Sequence, residues 1–351
     1  MRILIAPDKF RGTASAVEAA DALASGAREA GWEPVTVPLA DGGEGTLEAL
    51  GGPTETSTVT GPLGTPVEAA WRLKDGHAVV EMARASGLQL AGGAENNDPM
   101  AATSRGTGEL IAAAIGRGAR RVIVGVGGSA CTDGGAGAVE ALQHLAPLDG
   151  SRGYLVEVAY DVATAFLDAP RLFGPQKGAT AADVEELTER LRALGRDYLD
   201  RFGVDVLAMA GSGAAGGLGG GLAALGAALR PGFDLIADVV GLRAAVAEAD
   251  LVMTGEGQLD DQSFEGKVVG GVAALAAAAA VPWVAVVGQA VVRPPDGDVV
   301  DLVATFGRQA ALTRTLDCLR GASRDHLIRT SVPPGSFPVP APTDPQLGDQ
   351  T

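Results

Sequence analysis

The chain has 351 residues, more than a single hydrophobic core usually organises, so two domains are expected. A formal net charge of −16 argues against nucleic acid and anionic membranes as partners, and an aromatic content of 4% leaves little surface for stacking on nucleobases. Any phosphate-binding site must therefore be built locally, from main-chain N–H groups, a metal and a few cations.

Cys131 and Cys318 form no CxxC pair, and His77, His144 and His326 lie far apart, which excludes a disulfide framework and a Cys/His zinc site. The N-terminal apolar run is too short for a signal peptide, and the Ala-rich stretch 272–281 is too short to span a bilayer. The expectation is a soluble, cytoplasmic protein in a reducing compartment. With 51 Gly and 46% hydrophobic residues, helices should pack closely on a sheet through small side chains.

In chain order, residues 3–6 read as a buried strand that runs into Asp8, Lys9 and Arg11. There a carboxylate stands ready to take a hydroxyl proton or hold Mg²⁺, and two cations to grip an anion. The duller reading of Asp8 is a cap for the helix predicted over 15–30, although Thr13 or Ser15 would serve that cap better. A second strand, 35–39, precedes Asp41-Gly42-Gly43-Glu44, two carboxylates around two glycines, which suits a metal or polyol site. Residues 54–80 alternate Thr and Val around the turn Gly61-Pro62-Leu63-Gly64 and predict a hairpin in a different subdomain.

Thr107 and Gly108 open a helix over 108–117, where a capping role competes with nucleotide contact. The strand 121–126 leads into Gly127-Gly128-Ser129 and then Asp133-Gly134-Gly135, an anion-binding loop running into a helix N-terminus. Asp133 would then bind metal, or else cap that helix. Asp161 follows the apolar run 155–159, and Lys177 sits in Pro175-Gln176-Lys177-Gly178 before a helix over 180–194. Strand 250–253 runs into Thr254-Gly255-Glu256-Gly257-Gln258-Leu259-Asp260, whose carboxylates are candidates for orienting metal or substrate. Lys267, opening the helix 268–280, is a candidate for neutralising a transferring phosphate, or for a plain surface salt bridge. Strands are further expected at 283–287 and 302–305. The alternation of strands and helices gives an α/β class with parallel βα units, and the Gly/acid motifs after successive strands are positioned to meet in one crevice.

Gly211-Ser212-Gly213-Ala214-Ala215-Gly216 matches GxGxxG and keeps an NAD-dependent dehydrogenase as a rival. No GxxxxGK[ST] exists, because Asp261 stands five before Gly266.

The motifs together resemble the bacterial glycerate kinases of the first class, whose patterns look like APDSFKG, ADGGEGT, TSxGTGEL, GGSAxxDGGAG, FGPQKGA, GAAGGLG and TGEGxxDxQTxxGK. Here they stand at residues 6–12, 40–46, 103–110, 127–137, 173–179, 213–219 and 254–267. Lys9 replaces the pattern's Ser, and Arg11 its Lys. Tyr160-Asp161-Val162 stands for a Cys-Asp-Val segment, the stretch 142–156 is shortened, and Thr164 to Asp168 replace an Asn-Pro-Leu loop.

The resemblance implies ATP-dependent phosphorylation of D-glycerate, with 2-phosphoglycerate as product and Mg²⁺ as cofactor. It also implies a flavodoxin-like domain (1–60 and 230–321) facing an inserted, restriction-endonuclease-like domain (61–229) across a cleft. Residues 322–351 are expected to be a disordered, Pro-rich tail. By this reading Asp8, Lys9, Arg11, Asp161 and Lys267 are catalytic. Asp41, Gly42, Gly43, Glu44, Thr107, Gly127, Gly128, Ser129, Lys177 and Gly255 bind substrate or nucleotide, and Asp133, Glu256 and Asp260 hold the metal. A hydroxy-acid sensor that has lost catalysis through the shortened middle stands as the alternative, and assembly into a homo-oligomer is left open.

Overall fold

The computed structural model describes residues 1–331. It contains two sheets. The strands are β1 (Arg2–Ile5), β2 (Glu33–Thr36), β3 (Glu55–Thr60), β4 (Pro66–Lys74), β5 (His77–Glu81), β6 (Arg121–Gly125), β7 (Leu155–Tyr160), β8 (Ala228–Pro231), β9 (Leu251–Leu259), β10 (Trp283–Ala290) and β11 (Asp298–Asp301).

The first sheet is all parallel, in the order β11-β10-β9-β1-β2. Alternation along β1 explains its burial on both faces. Ile3 and Ile5 pack with the helices Ala16–Glu29 and Thr315–Ser331, whereas Leu4 and Ala6 pack with Gly232–Val239, Leu242–Ala247 and Val268–Ala278. The chain moves outward from β1 to β2 on one side and from β9 through β10 to β11 on the other, so strand order reverses between β1 and β9. Such a switch point opens a crevice at the carboxyl ends of the strands.

The second sheet runs β3-β4-β5-β6-β7-β8, antiparallel from β3 to β5 and parallel from β5 to β8. Its carboxyl ends at Glu81, Gly125 and Tyr160 face the loop that follows β2. Ile123 and Ala159 belong to the same buried cluster as Leu4 and Leu39, so the two halves share a core.

Glycines bring the halves together. Gly42 O accepts from Val126 N at 2.9 Å, and a Cβ on Gly42 would stand 2.7 Å from Ala159 O. A Cβ on Gly127 would stand 2.8 Å from Gly43 Cα, and one on Gly232 only 1.9 Å from Asp41 O. Gly232→Ala should therefore lower stability by about 1–3 kcal/mol, the usual cost of forcing atoms into a filled space. An unchanged urea midpoint would contradict this packing.

Several expectations are corrected. Residues 302–305 are not a strand: Asp301 ends β11, and its Oδ1 accepts from Ala304 N at 2.9 Å, capping the helix Leu302–Phe306. The expected tail starts too early, because Thr315–Ser331 is a helix that buries Ala322, Ser323, His326 and Leu327. It crosses Ala16–Glu29 so closely that a Cβ on Gly26 would lie 2.1 Å from Arg320 O. The remainder of that tail, 332–351, lies outside the described residues. The expected boundary at 60 moves back, since β3 pairs with β4 in the second sheet.

Candidate active site

The acidic motifs that follow β1 and β2 and that end β9 meet in the switch-point crevice. Pairing between β1 and β9 continues past the strand end, with Ala6 N donating to Met253 O and Asp8 N to Gly255 O, both at 2.8 Å. Asp8 is thereby fixed beside Glu256. On the other flank Val37 N donates to Ile5 O and Leu39 N to Pro7 O, which delivers Asp41 to the same place. A cavity of 530 Å³ opens there, lined by Asp8, Lys9, Arg11, Asp41, Glu256, Asp260 and Lys267 among others.

Asp8 is 8% exposed, and its Oδ1 accepts from Lys9 N at 2.7 Å. Burial raises its carboxyl to about 6; the Asp41 charge adds to the rise, while Lys9, the hydrogen bond from its N–H and Arg11 oppose it. Glu256, 9% exposed, is raised to about 7, again by burial first, with a Ser263 hydrogen bond pulling down and the Asp8 charge pushing up. Two acids in one crevice thus titrate near neutrality, a pattern typical of functional sites. Glu256 Oε1 and Asp260 Oδ1 are buried without a hydrogen-bond partner. Buried acceptors of this kind are costly to leave unpaired.

Lys9 Nζ donates to Glu44 O, tying the first motif to the second. Glu44 is exposed and lines a neighbouring cavity of 420 Å³ with Lys9, Arg11, Glu48 and Arg84. Arg11 is exposed and borders all three cavities of the cleft. Lys267 immediately precedes the helix Val268–Ala278 without capping it through its side chain, and its Nζ donates to Gln262 Oε1 at 3.4 Å.

The third cavity, 290 Å³, lies on the side of the second sheet and is lined by Arg11, Gly127, Gly128, Ser129, Asp161 and Lys177 among others. Asp161 is exposed to solvent, yet desolvation by the surrounding cleft walls raises its carboxyl, the Asp41 charge adds to it, and Lys267 and Lys9 oppose, so Asp161 sits within electrostatic reach of the larger cavity. Lys177 is buried. Its Nζ donates to Cys131 O at 2.5 Å and to Thr132 Oγ1 at 3.4 Å, and desolvation lowers it to about 8.

Asp133 is not brought to this site. Its Oδ2 accepts from Ser104 N, Ser104 Oγ and Gly137 N, and its Oδ1 from Gly135 N. The carboxylate itself fills the helix N-terminus that was expected to take an anion. It faces a separate cavity lined by Met100 and Arg190, so the metal role is withdrawn in favour of capping. Thr107 is fully buried and donates to Ser86 Oγ at 2.9 Å, a structural role that replaces nucleotide contact. Gly42, Gly43 and Gly255 are likewise buried, and chain packing explains the missing side chains of two of them: a Cβ on Gly42 would lie 2.7 Å from Ala159 O and one on Gly255 2.2 Å from Val286 O, whereas one on Gly43 would meet only Asp41 Oδ1, at 3.1 Å.

The dehydrogenase signature also fails. Gly211 to Gly216 follow a loop rather than a strand, and Cβ atoms on Gly211, Gly213 and Gly216 would strike Tyr160, Ala165 O and Cys131 O within 2.5 Å. The glycines serve packing. Cys131 is buried with its thiol pushed far up by desolvation, which fits its exclusion as a nucleophile.

Glu81, which the sequence reading missed, is buried at the end of β5. Its Oε1 accepts from Gly45 N and Leu47 N, both at 2.9 Å, while its Oε2 pairs with Arg84 at 3.0 Å. It pins the Asp41 loop to the second sheet. The signal was present in the sequence, because Glu81 ends the apolar run 78–80 much as Asp8 ends its own.

Comparison with known proteins agrees with the motifs. The model of the glycerate kinase family matches residues 3–150 and 147–324. The chain is 42% identical over 313 residues to the glycerate 2-kinase of Escherichia coli K12, covering 79% of this chain and 82% of that one. It is 40% identical over 333 residues to the glycerate kinase of Bacillus subtilis 168, covering 82% and 85%. A crystal structure assigned as glycerate kinase 2 of Salmonella typhimurium LT2 superposes with a TM-score of 0.82 at 36% identity, covering 94% of this chain and 98% of that one. The chain belongs to the glycerate kinase family.

Proposed function

We propose that the cleft transfers the γ-phosphoryl group of ATP to D-glycerate, with the 2-hydroxyl as acceptor. The observation that carries this reading is the meeting of Asp8, Asp41 and Glu256 with Lys9, Arg11 and Lys267 in one cavity at the switch point. The 2-hydroxyl follows the name of the Escherichia coli relative.

In this reading the larger cavity takes ATP, and glycerate enters from the smaller one, its carboxylate held by Arg11 and Lys177. The Asp8 carboxylate accepts the hydroxyl proton while the glycerate oxygen forms its bond to the γ-phosphorus and the bond to the bridging oxygen of ADP breaks. Lys9 and Arg11 spread the charge of the transferring group. Lys267 adds its cation to the positive end of the helix Val268–Ala278. Asp161 orients the substrate from the opposite wall.

Among the described residues no group of three His, Cys, Asp or Glu side chains is gathered for a metal. Mg²⁺ needs no such cage in kinases, because one or two carboxylates suffice when phosphates supply the rest. The unpartnered Glu256 Oε1 and Asp260 Oδ1 fit that demand and would hold it. When bound there, Mg²⁺ neutralises phosphate charge.

An ADP-release assay with D-glycerate tests the proposal: turnover is expected, with 2-phosphoglycerate identified by NMR. Glycerate binding without ADP release would instead support a sensor. The pH profile gives a second check. Because the Asp8 pKa is raised to about 6, its basic form is gained as pH rises through that value, so kcat/KM should climb between about pH 5 and 7. The apparent pKa belongs to the coupled Asp8 and Glu256 pair. A profile flat across that window would contradict the assignment.

A further inference from the structure

The 530 Å³ cavity has two chemically distinct ends. One is the carboxylate and lysine cluster already described. At the other, Val303, Ala311 and Leu312 offer carbon surface beside Thr315, Gln289 and Arg308. Gly257 and Gly288 line it with backbone alone, packed so closely that a Cβ on Gly288 would stand 2.3 Å from Gly257 O.

We propose that this second end is the subsite for the purine base of the nucleotide. The inference rests on the phosphotransferase reading above and adds to it which residues recognise the base. Leu312 is 54% exposed at the end of the helix Arg308–Thr313, and Val303 is half-buried in Leu302–Phe306. A flat heterocycle laid on them buries apolar surface continuous with the cavity that holds the acidic groups.

Gln289, exposed near the end of β10, supplies an amide with both a donor and an acceptor, the pair that matches the N6 and N7 edge of adenine. Thr315 Oγ1 donates inward to Ala311 O at 2.6 Å, which leaves its lone pairs for an exocyclic amine. Phosphates extending from a base seated here run toward Lys267 and Asp8 within the same cavity. The size agrees with the range of about 300–1,000 Å³ found for sites that enclose such ligands.

The test is steady-state kinetics and calorimetry on the full chain with Leu312→Asp, at an exposed position where folding is not threatened, beside the conservative Leu312→Met. The Asp variant should raise KM for ATP by about tenfold or more, as for the loss of a pocket contact. KM for glycerate should stay within about twofold, and Leu312→Met should behave like the parent. Adenosine, which has no phosphates, should bind the parent chain by calorimetry and lose that binding in Leu312→Asp. An unchanged KM for ATP, or a change confined to glycerate, overturns the subsite. A parent chain that binds adenosine at Leu312 yet releases no ADP with glycerate would overturn the glycerate reading and leave the base subsite standing.

Discussion

Asp8→Asn should lower kcat by about 10²- to 10⁴-fold, the range expected when a positioned general base is lost. The amide is isosteric and keeps an oxygen to accept from Lys9 N, so the backbone between β1 and the cavity has no reason to move. Folding should survive, because the substitution removes a buried charge rather than a contact. Circular dichroism and urea unfolding alongside the coupled assay separate the two effects. Near-native turnover would remove Asp8 from the mechanism.

The second large effect combines opposite signs in one side chain. Glu256→Gln should cost about 10–100-fold in metal-dependent activity, as when groups that tune a metal site are lost. It should also stabilise the fold. The Glu256 pKa is raised from 4.5 to about 7, so the folded state binds the proton more tightly than the unfolded chain. Stability contributed by this group is therefore complete below about pH 4.5 and is lost as pH rises toward 7. The parent chain should weaken across that window in metal-free buffer, whereas the Gln variant should lose that part of the slope. The gain above pH 7 is on the order of 1–3 kcal/mol. A variant less stable than the parent at pH 8 would show that the carboxylate is a structural partner after all.

Much of this architecture can be read from periodicity, and the places where reading fails have physical causes. The runs at β1, β6, β9 and β10 are apolar on both faces and end in acids or glycines, which is what parallel strands buried under helices require. The run from Val299 to Thr305 is equally apolar, yet it is part strand and part helix. Such a short stretch carries no period of its own, and the Asp301 side chain that divides it is visible only as a cap. The helix Thr315–Ser331 was hidden for another reason. The apolar residues it buries, Cys318, Leu319, Ala322 and Leu327, share their face with Ser323 and His326, and Ser323 Oγ donates to Leu23 O at 2.9 Å, so the apolar stripe is broken by polar residues in the sequence.

That Asp8, Asp41, Glu256 and Asp260 share one cavity could be anticipated because Asp8, Asp41 and Asp260 follow strands and Glu256 lies near the end of one. Asp133 shares that spacing, but the same oxygens that suit a metal also suit backbone N–H groups. Only the arrangement of Ser104, Gly135 and Gly137 around it decides between them. Glycines mislead in the same way. Gly42 looks like room for a ligand, and the room is taken by Ala159 of the second sheet.

That the halves meet at all is the condition on which transfer depends, since glycerate and ATP are assigned to opposite walls of the cleft. The most direct test is the anomalous signal of Mn²⁺ in crystals grown with D-glycerate and a non-hydrolysable ATP analogue. The metal is expected about 2.1 Å from a carboxylate oxygen of Glu256 or Asp260, with the glycerate 2-hydroxyl in hydrogen-bond reach of Asp8. A metal seated at Asp133, or a hydroxy acid bound away from Asp8, would contradict the assignment of the β1 and β9 crevice as the place where phosphoryl transfer occurs.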